Sequence, residues 1–353
     1  MCCIGSQKLM KIEPASVCAI ILAYGPRKDQ LKNVLAELIE QKVGHVIVVA
    51  NAVIKNTLQM LYELSKIHKG KIEILISNEN IGSAGGYNLG LKEAYKKSHD
   101  FLWLLDDDNL PHKDALTELL KSFSIHNHSI KPDKLILQSF RESLPEMKEI
   151  VRRGCSPALP IPASFIGFHV MKVWDMFCSK LSSDKDKSSS LSNNKNKTIR
   201  LHYALYGGLF FHKDVLKTLG FPNPLFFLYA DDFAYTLNFT SQGGNILLVT
   251  NSRIIDLEPV WNATGGSMYN IYRRLKILSS EKVYYEVRNR IFIGRRIFPG
   301  HLLMYLVNKY LYLLVLGFLA LYYRRFDRFR LILCAIHDGE QGFLGKKTFG
   351  NLK

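Results

Sequence analysis

Cysteine is scarce and irregularly spaced in this chain of 353 residues, which contains six of them. Two are adjacent, Cys2 and Cys3, and the other four are isolated, so neither a disulfide framework nor paired zinc ligands are indicated. The first 14 residues also lack an apolar run long enough for a signal peptide. These absences predict a reducing, cytoplasmic location.

Acidic residues are too few to balance the basic ones, since 47 Lys and Arg against 31 Asp and Glu give a net charge of +16 at pH 7. Residues 272–353 alone hold 16 basic and 5 acidic residues, a net of +11. This excess predicts an anionic partner. Its concentration in one segment, without a recognisable nucleic-acid module, favours a membrane surface over nucleic acid.

Short apolar runs alternate with helical patterns through the first third of the chain. The runs at 17–23, 46–50, 72–76 and 101–105 have the length of strands. Continuous apolar runs between helices predict a parallel sheet covered on both faces. Ligands of such sheets bind at the carboxyl ends of the strands, so the segments that follow these four runs are the candidate ligand-binding segments.

The rest of the chain is less regular. Residues 179–197 are rich in Ser, Asn and Lys and predict a mobile loop. Strands are predicted at 201–211, 226–228, 246–249 and 254–257, and a helix at 232–241. Residues 302–323 are apolar and aromatic with arginine pairs on both sides, which favours a helix in the membrane interface. A buried core or dimerisation helix and a spanning helix are the alternatives.

Three aspartates, Asp106, Asp107 and Asp108, directly follow the fourth apolar run. Alternate residues of an extended chain point the same way, so Asp106 and Asp108 are spaced to share one hard metal ion. Such an ion takes further ligands from water and substrate phosphates. The competing interpretation is an acidic turn that caps a helix near Pro111.

Two other segments contain residues suited to ligand binding or catalysis. The glycine-rich residues 78–90 follow the third run. Their glycines let the backbone approach a ligand closely, and the free amide groups at the start of the next helix can hold an anion. The segment lacks the lysine and the hydroxyl residue of a nucleoside-triphosphate-binding loop. Asp231 and Asp232 open a helical pattern after an apolar segment. One of them could act as a general base, or the pair could cap the helix.

Taken in order, ILAYGPRKDQL, VIVVAN, NENIGSAGGYNLGL, LWLLDDDN, GGLFFHKDVL and FLYADDFAYTL resemble the family 2 inverting glycosyltransferases of the GT-A fold. The resemblance covers residues 16–256. With YYEVRNRIFI at 284–293 and AIHDGEQGFLGK at 335–346, it is greatest to bacterial galactofuranosyl- and rhamnosyltransferases. It implies an α/β fold, with a GT-A (Rossmann-like), mostly parallel sheet flanked by helices. The implied divisions are an extension (1–15), the GT-A domain (16–270) and a basic, aromatic, helical, membrane-associating region (271–353).

The resemblance also implies residue roles. Asp106 and Asp108 would bind Mn²⁺ or Mg²⁺ against the diphosphate of a UDP- or dTDP-sugar. Asp232 would be the catalytic base that deprotonates the acceptor hydroxyl, with Asp231 beside it. Donor contacts are implied for Tyr24, Asn51, Asn80, Gly82, Gly85, Gly86, Asp106 and Asp107, and acceptor contacts for Trp261, Gly207 and Gly208. The sequence departs from the family pattern at two points. Relatives have an aspartate at the position of Ala50, and the metal-ligating histidine that many of them have is missing. Glu258, Asn262 or water are then the candidates for the remaining metal ligand.

The implied activity is a metal-dependent transfer of galactofuranose from UDP-galactofuranose to a lipid-linked glycan in bacterial surface polysaccharide (O-antigen or capsule) synthesis. A rhamnosyltransferase using dTDP-rhamnose and a non-catalytic glycan- or membrane-binding module are the alternatives. The expected partners are the nucleotide sugar, the glycan acceptor and an anionic membrane surface, but not nucleic acid, and a homo-oligomer is left open. The expected location is the cytoplasm, peripheral on the inner face of the cell membrane.

Overall fold

The computed structural model describes residues 12–171, 198–258 and 267–349, which fall into two compact units. Within these ranges, the first unit contains residues 12–156, 198–223 and 235–258, and the second contains 157–171, 224–234 and 267–349. The predicted mobile loop at 179–197 and two site candidates, Trp261 and Asn262, lie outside the described residues.

One sheet in the first unit contains the nine strands found in the described part of the chain. The strands are β1 (Val17–Tyr24), β2 (His45–Asn51), β3 (Ile72–Ser77), β4 (Phe101–Asp106), β5 (Asn109–Pro111), β6 (Leu135–Arg141), β7 (Thr198–Leu201), β8 (Leu209–His212) and β9 (Asn245–Asp256). Their order is β3-β2-β1-β4-β8-β6-β9-β5, and β7 also pairs with β9. Strands β1 to β4 are parallel, as is the pair β6–β9, whereas β8, β5 and β7 add antiparallel pairs.

Helices cover both faces of this sheet, and the predicted α/β class is confirmed. They are α1 (Lys28–Glu40), α2 (Lys55–Ile67), α3 (Gly82–Tyr95), α4 (Ala115–His126), α5 (Pro145–Arg153), α6 (Val215–Leu219) and α7 (Asp231–Ser241), of which residues 231–234 belong to the second unit. The second unit contributes α8 (Ser267–Lys276), α9 (Ser280–Ile297), α10 (Leu302–Tyr322) and α11 (Phe326–Gln341), so the C-terminal helical region is confirmed as well. Short 3₁₀ turns occupy Pro14–Ser16, Pro132–Lys134 and Pro224–Phe226.

The alternation of side chains along β1 explains why its sequence is apolar throughout. Ala19 and Ile21 belong to the apolar layer on one face, whereas Cys18 and Ile20 belong to the layer on the other face, and all four are fully buried. Because both faces are covered, no position of the strand is free to be polar. The register places Tyr24 opposite Asn51 and Leu22 opposite Asp106, so the carboxyl ends of three strands meet at one edge.

Four predicted strands differ from the structure. The run at 201–211 is divided between β7 and β8, because the chain turns at Gly208, whose φ is +92°. The two runs at 246–249 and 254–257 form one long strand, β9, with an irregular register opposite β6. Residues 226–228 are not a strand, since a 3₁₀ turn ends at Phe226 and Phe227 has a left-handed φ of +63°.

The second unit has its own apolar core, built mainly from α8 to α11. Helix α10 buries Tyr312 and Leu316 in that core, whereas Leu303, Leu314 and Phe318 are 75%, 70% and 66% exposed. By length and composition α10 is long and apolar enough to cross a membrane, yet its most apolar 18-residue window is only 17% buried. Helix α10 thus buries one face in the core of the second unit and leaves its other face exposed, and its relation to a membrane stays a prediction.

Candidate active site

The three aspartates lie at the carboxyl edge of the sheet, and their side chains point into different surroundings. Asp106 is the last residue of β4, and its side chain is 32% exposed. The side chain of Asp107 is only 3% exposed, and that of Asp108 is 13% exposed. Arg27 Nη1 lies 2.9 Å from Asp107 Oδ1 and 3.7 Å from Asp108 Oδ2, and the shared metal role of Asp106 and Asp108 stays a prediction.

Asp106 is held by residues from two other elements. The hydroxyl of Tyr87, a buried residue of α3, donates a 2.8 Å hydrogen bond to Oδ1. Arg141 Nη1, at the end of β6, lies 3.5 Å from Oδ2. Burial and the Asp106 charge raise the pKa of Tyr87 well above its usual value, so its hydroxyl stays a donor.

Asp107 ties the β1–α1 connection to the end of β4. Its Oδ2 accepts from the backbone N–H of Tyr24 at 2.9 Å, and its Oδ1 accepts from Arg27 Nη1 at 2.9 Å. Burial raises the pKa of Asp107 to about 7, even though the Arg27 charge acts in the opposite direction. Arg27 Nη2 also pairs with Glu258 at 2.8 Å, so Glu258, a candidate metal ligand, already has a cationic partner.

Asn109 connects Asp108 to a fourth carboxylate, Asp256 at the end of β9. Its Nδ2 donates to Asp108 Oδ1 at 3.2 Å and to Asp256 Oδ1 at 2.8 Å. Arg141 Nε donates to the same Asp256 oxygen at 2.9 Å. Asp256 Oδ2, by contrast, is buried with no hydrogen-bond partner among the described residues.

Negative charge is in excess around these side chains. Burial, followed by repulsion from Asp106, raises the pKa of Asp108 to about 6. Burial also raises the pKa of Asp256, despite the opposing charge of Arg141. Carboxylate oxygens suit a hard divalent cation, so raised pKa values and the unpartnered Asp256 oxygen fit such an ion. Within the described ranges, no group of three or more His, Cys, Asp or Glu side chains is arranged to hold a metal ion, so water and substrate oxygens would have to supply the remaining ligands.

Asn51 fixes the start of the glycine-rich helix. Its side chain is buried at the end of β2, where Oδ1 accepts from the Ile81 N–H at 2.9 Å and Nδ2 donates to Asn80 Oδ1 at 3.2 Å. Asn80 Oδ1 in turn accepts from the Gly82 N–H at 2.9 Å, at the first residue of α3. The structure thus brings together three of the residues predicted to bind the donor.

Packing within the protein explains two glycines of α3, whether or not a ligand binds there. A Cβ built at Gly86 would overlap the side chain of Leu22 in β1, and one at Gly85 would lie 3.0 Å from Ile81 Cβ. Glycine at 86 therefore lets α3 approach the sheet closely. Their contact with a donor stays a prediction.

Gly207 lies against the acidic residues. A Cβ built there would be 2.8 Å from Asp106 Oδ2 and 2.7 Å from Arg141 Nη1. The next residue, Gly208, pairs through its backbone with Leu104 O and Ser139 N. These two glycines line the site of the first unit, and their contact with an acceptor stays a prediction.

Asp231 and Asp232 form the first turn of α7, as their pattern predicts. Asp231 is 5% exposed, and Asp232 Oδ1 accepts from the Phe233 N–H at 2.7 Å. Acidic side chains in this turn are favoured by the helix dipole. The catalytic roles assigned to the pair stay predictions.

Sequence reasoning missed several residues of the site: Arg27, Tyr87, Asn109, Arg141 and Asp256. Asn109 had a usable signal, because it directly follows the triple aspartate. Arg141 and Asp256 had none, since each is an isolated residue that only strand pairing brings to the site.

Residues 18–131 match the model of the family described as Glycosyl transferase family 2. The chain therefore carries a family 2 glycosyltransferase domain, which confirms the resemblance found in the motifs. Among curated proteins, Galactofuranosyltransferase GlfT1 of Mycolicibacterium smegmatis is 26% identical over 282 residues, covering 78% of this chain and 81% of the relative. The two comparisons support a glycosyltransferase.

Two solved structures were also found to be similar. GalNAc-T7, crystallised with UDP, GalNAc and Mn²⁺, has a TM-score of 0.47 and 14% identity over 78% of this chain. This chain spans 50% of that one. S. aureus TarS 1-349 has a TM-score of 0.44 and 14% identity, with 95% of each chain covered.

Proposed function

We propose that this protein is an inverting, metal-dependent galactofuranosyltransferase that uses UDP-galactofuranose as donor and a lipid-linked glycan of the bacterial surface as acceptor. One observation carries the proposal: Asp106, Asp108 and Asp256 converge at the carboxyl edge of the sheet with more negative charge than Arg141 and Arg27 offset. That is the expected environment for a cation that binds a nucleoside diphosphate. The name of the curated relative supports the sugar.

The residues of the chain would divide the work as follows. Asp106 and Asp108 would hold Mn²⁺ or Mg²⁺, which when bound neutralises charge developing on the departing nucleoside diphosphate. Tyr87 and Arg141 orient Asp106, and Asn109 orients Asp108. Asp232 would remove the proton from the acceptor hydroxyl as that hydroxyl attacks the anomeric carbon.

A donor panel tests this function. UDP and UDP-galactofuranose should raise the melting temperature in the presence of Mn²⁺, and dTDP-rhamnose should do so less. Chelation should abolish turnover of the sugar nucleotide. Asp232→Asn should retain UDP binding and lose turnover. Full activity of Asp232→Asn, or turnover unaffected by chelator, would contradict the proposal, whereas stronger stabilisation by dTDP-rhamnose would favour a rhamnosyltransferase.

We further propose that residues 16–270 carry catalysis and that residues 271–353 hold the enzyme on the cytoplasmic face of the membrane. The outward face of α10 is apolar, and it lies between two basic segments. Arg295, Arg296 and Arg324 are exposed there. An apolar face with basic neighbours suits an anionic lipid surface, where a lipid-linked acceptor is found.

A further inference from the structure

Helix α9 contains two adjacent polar residues, Arg288 and Asn289, that are almost completely buried. They are 1% and 0% exposed, and they belong to the segment YYEVRNR. Arg288 forms no salt bridge with the described residues, and its guanidinium carbon lies 4.8 Å from the ring centre of Tyr285. A buried arginine without a carboxylate is costly, so its hydrogen bonds need an explanation.

Both side chains donate to the backbone of the segment 225–229, and Arg288 Nη1 also donates to the Gly345 carbonyl at 2.6 Å. Asn289 Nδ2 lies 3.0, 2.9 and 2.7 Å from the carbonyl oxygens of Phe226, Leu228 and Tyr229. Arg288 Nη2 donates to the Phe226 carbonyl at 2.8 Å. Arg288 Nε also donates to Asn289 Oδ1 at 2.9 Å, which fixes the orientation of the amide.

That segment has an unusual backbone. Phe227, Tyr229 and Ala230 have φ values of +63°, +64° and +58°, in the left-handed region that residues with a Cβ rarely adopt. Such a conformation persists only where surrounding contacts impose it. The next residue is Asp231, which begins α7.

We propose that Arg288 and Asn289 are positioning residues for the base-bearing turn. By holding the carbonyls of Phe226, Leu228 and Tyr229, they set the backbone from which Asp231 and Asp232 project. The inference rests on the proposed function, in which Asp232 is the catalytic base. The competing explanation is that the two residues only fill the core of the second unit. An apolar pair would do that without donors, so the directed hydrogen bonds favour positioning.

Enzyme assays on the full chain separate these explanations. Asn289→Ala should lower kcat for hydrolysis of UDP-galactofuranose with Mn²⁺ by roughly 10²-fold, since small displacements of a catalytic group are that costly. Its KM, and the Kd for UDP, should change less than about twofold, because the contacts that bind the donor in the ground state are unchanged. Arg288→Lys keeps one donor toward the loop and should retain more activity than Arg288→Met.

Asn308→Ala is the matched control. Asn308 is also a fully buried asparagine of the second unit, where Nδ2 donates to the Ala163 carbonyl and Oδ1 accepts from the Val170 N–H, both at 2.9 Å. It should lower the melting temperature as Asn289→Ala does and leave kcat within about twofold. Equal kcat in the two variants would overturn the positioning role.

Two further comparisons keep the result interpretable. If Asp232→Asn retains full turnover, the proposed function fails and takes this inference with it. If Asp232→Asn is inactive while Asn289→Ala turns over normally, only the positioning inference fails. If Asn289→Ala does not fold, the ratio of kcat between Arg288→Lys and Arg288→Met decides, and equal values contradict the proposal.

Discussion

The hydroxyl of Tyr87 donates to Asp106 Oδ1 at 2.8 Å, which joins the glycine-rich helix to the acidic end of β4. Groups that orient a metal ligand usually contribute 10- to 100-fold to metal affinity or activity. Tyr87→Phe should therefore raise the Mn²⁺ concentration for half-maximal turnover by about tenfold. Tyr235→Phe is the control, because that buried hydroxyl donates to the Gly220 carbonyl instead. Equal effects of the two variants would exclude an orienting role for Tyr87.

Metal activation should weaken as the pH falls. Burial and Asp106 raise the pKa of Asp108 to about 6, so the carboxylate is ionised above that pH and protonated below it. Protons then compete with the metal, and the Mn²⁺ requirement should rise about fourfold between pH 7.5 and pH 5.5. Titrations of turnover with Mn²⁺ at each pH measure this. A requirement that is constant over the range would show that Asp108 is not a ligand.

The Arg141–Asp256 pair should matter for stability as well as for the site. Both residues are buried, and removal of one partner leaves a charge without compensation. We expect Arg141→Met to lower the free energy of unfolding by about 3 kcal/mol, and the double variant with Asp256→Leu to recover most of that loss. Denaturant melts measure both. Lys213→Ala, which breaks a half-exposed pair with Asp100, should change nothing measurable, and a similar loss there would argue against a special role for burial.

Gly86 should not tolerate a methyl group. The added Cβ would overlap Leu22 and push α3 away from β1. We expect Gly86→Ala to cost about 1–3 kcal/mol, seen as a lower melting temperature. Gly294→Ala is the control, because no described atom lies within 4 Å of a Cβ built at that helical glycine, so alanine should be neutral or stabilising. Equal melting temperatures would show that α3 does not need the glycine.

The outward face of α10 should carry binding to anionic vesicles. Replacing Leu303, Leu314 and Phe318 together with glutamine removes three exposed apolar side chains and should weaken sedimentation with anionic vesicles by about tenfold or more. Ile67→Gln is the control, since it removes an apolar side chain of similar exposure from α2. Unchanged vesicle binding by the triple variant, with a lower mass in ultracentrifugation, would identify the face as a dimer contact instead.

Local sequence patterns were enough to predict the strands of the first half of the fold and to select the metal-binding candidates. Buried parallel strands have a continuous apolar signature, so the run ending at Leu105 located Asp106 and Asp108 without any structure. The place of Asp256 in the site could not be predicted from the sequence, because it depends on the antiparallel register of β9 with β5, which sets Asp256 opposite Asn109. No local signal encodes such a pairing.

The segment at 226–228 shows a different limit. Its apolar residues resemble a strand, but apolar character reports burial and not the backbone conformation. Phe227 is buried in the core of the second unit with a left-handed φ, and its ring centre lies 4.7 Å from that of Tyr285. The carbonyls on either side of it, of Phe226 and Leu228, accept from Arg288 and Asn289, about 60 residues later in the chain.

The exposed apolar side chains of α10 recur every three or four residues, from Leu303 through Val307 and Leu314 to Phe318. They form a stripe along one side of a helix that is about 32 Å long. A stripe of that length, once seated on a surface, holds the helix parallel to the surface and prevents it from rolling about its own axis. The second unit would then be free to drift along the surface and to spin about the surface normal only. Encounters with lipid-linked acceptors would become a two-dimensional search.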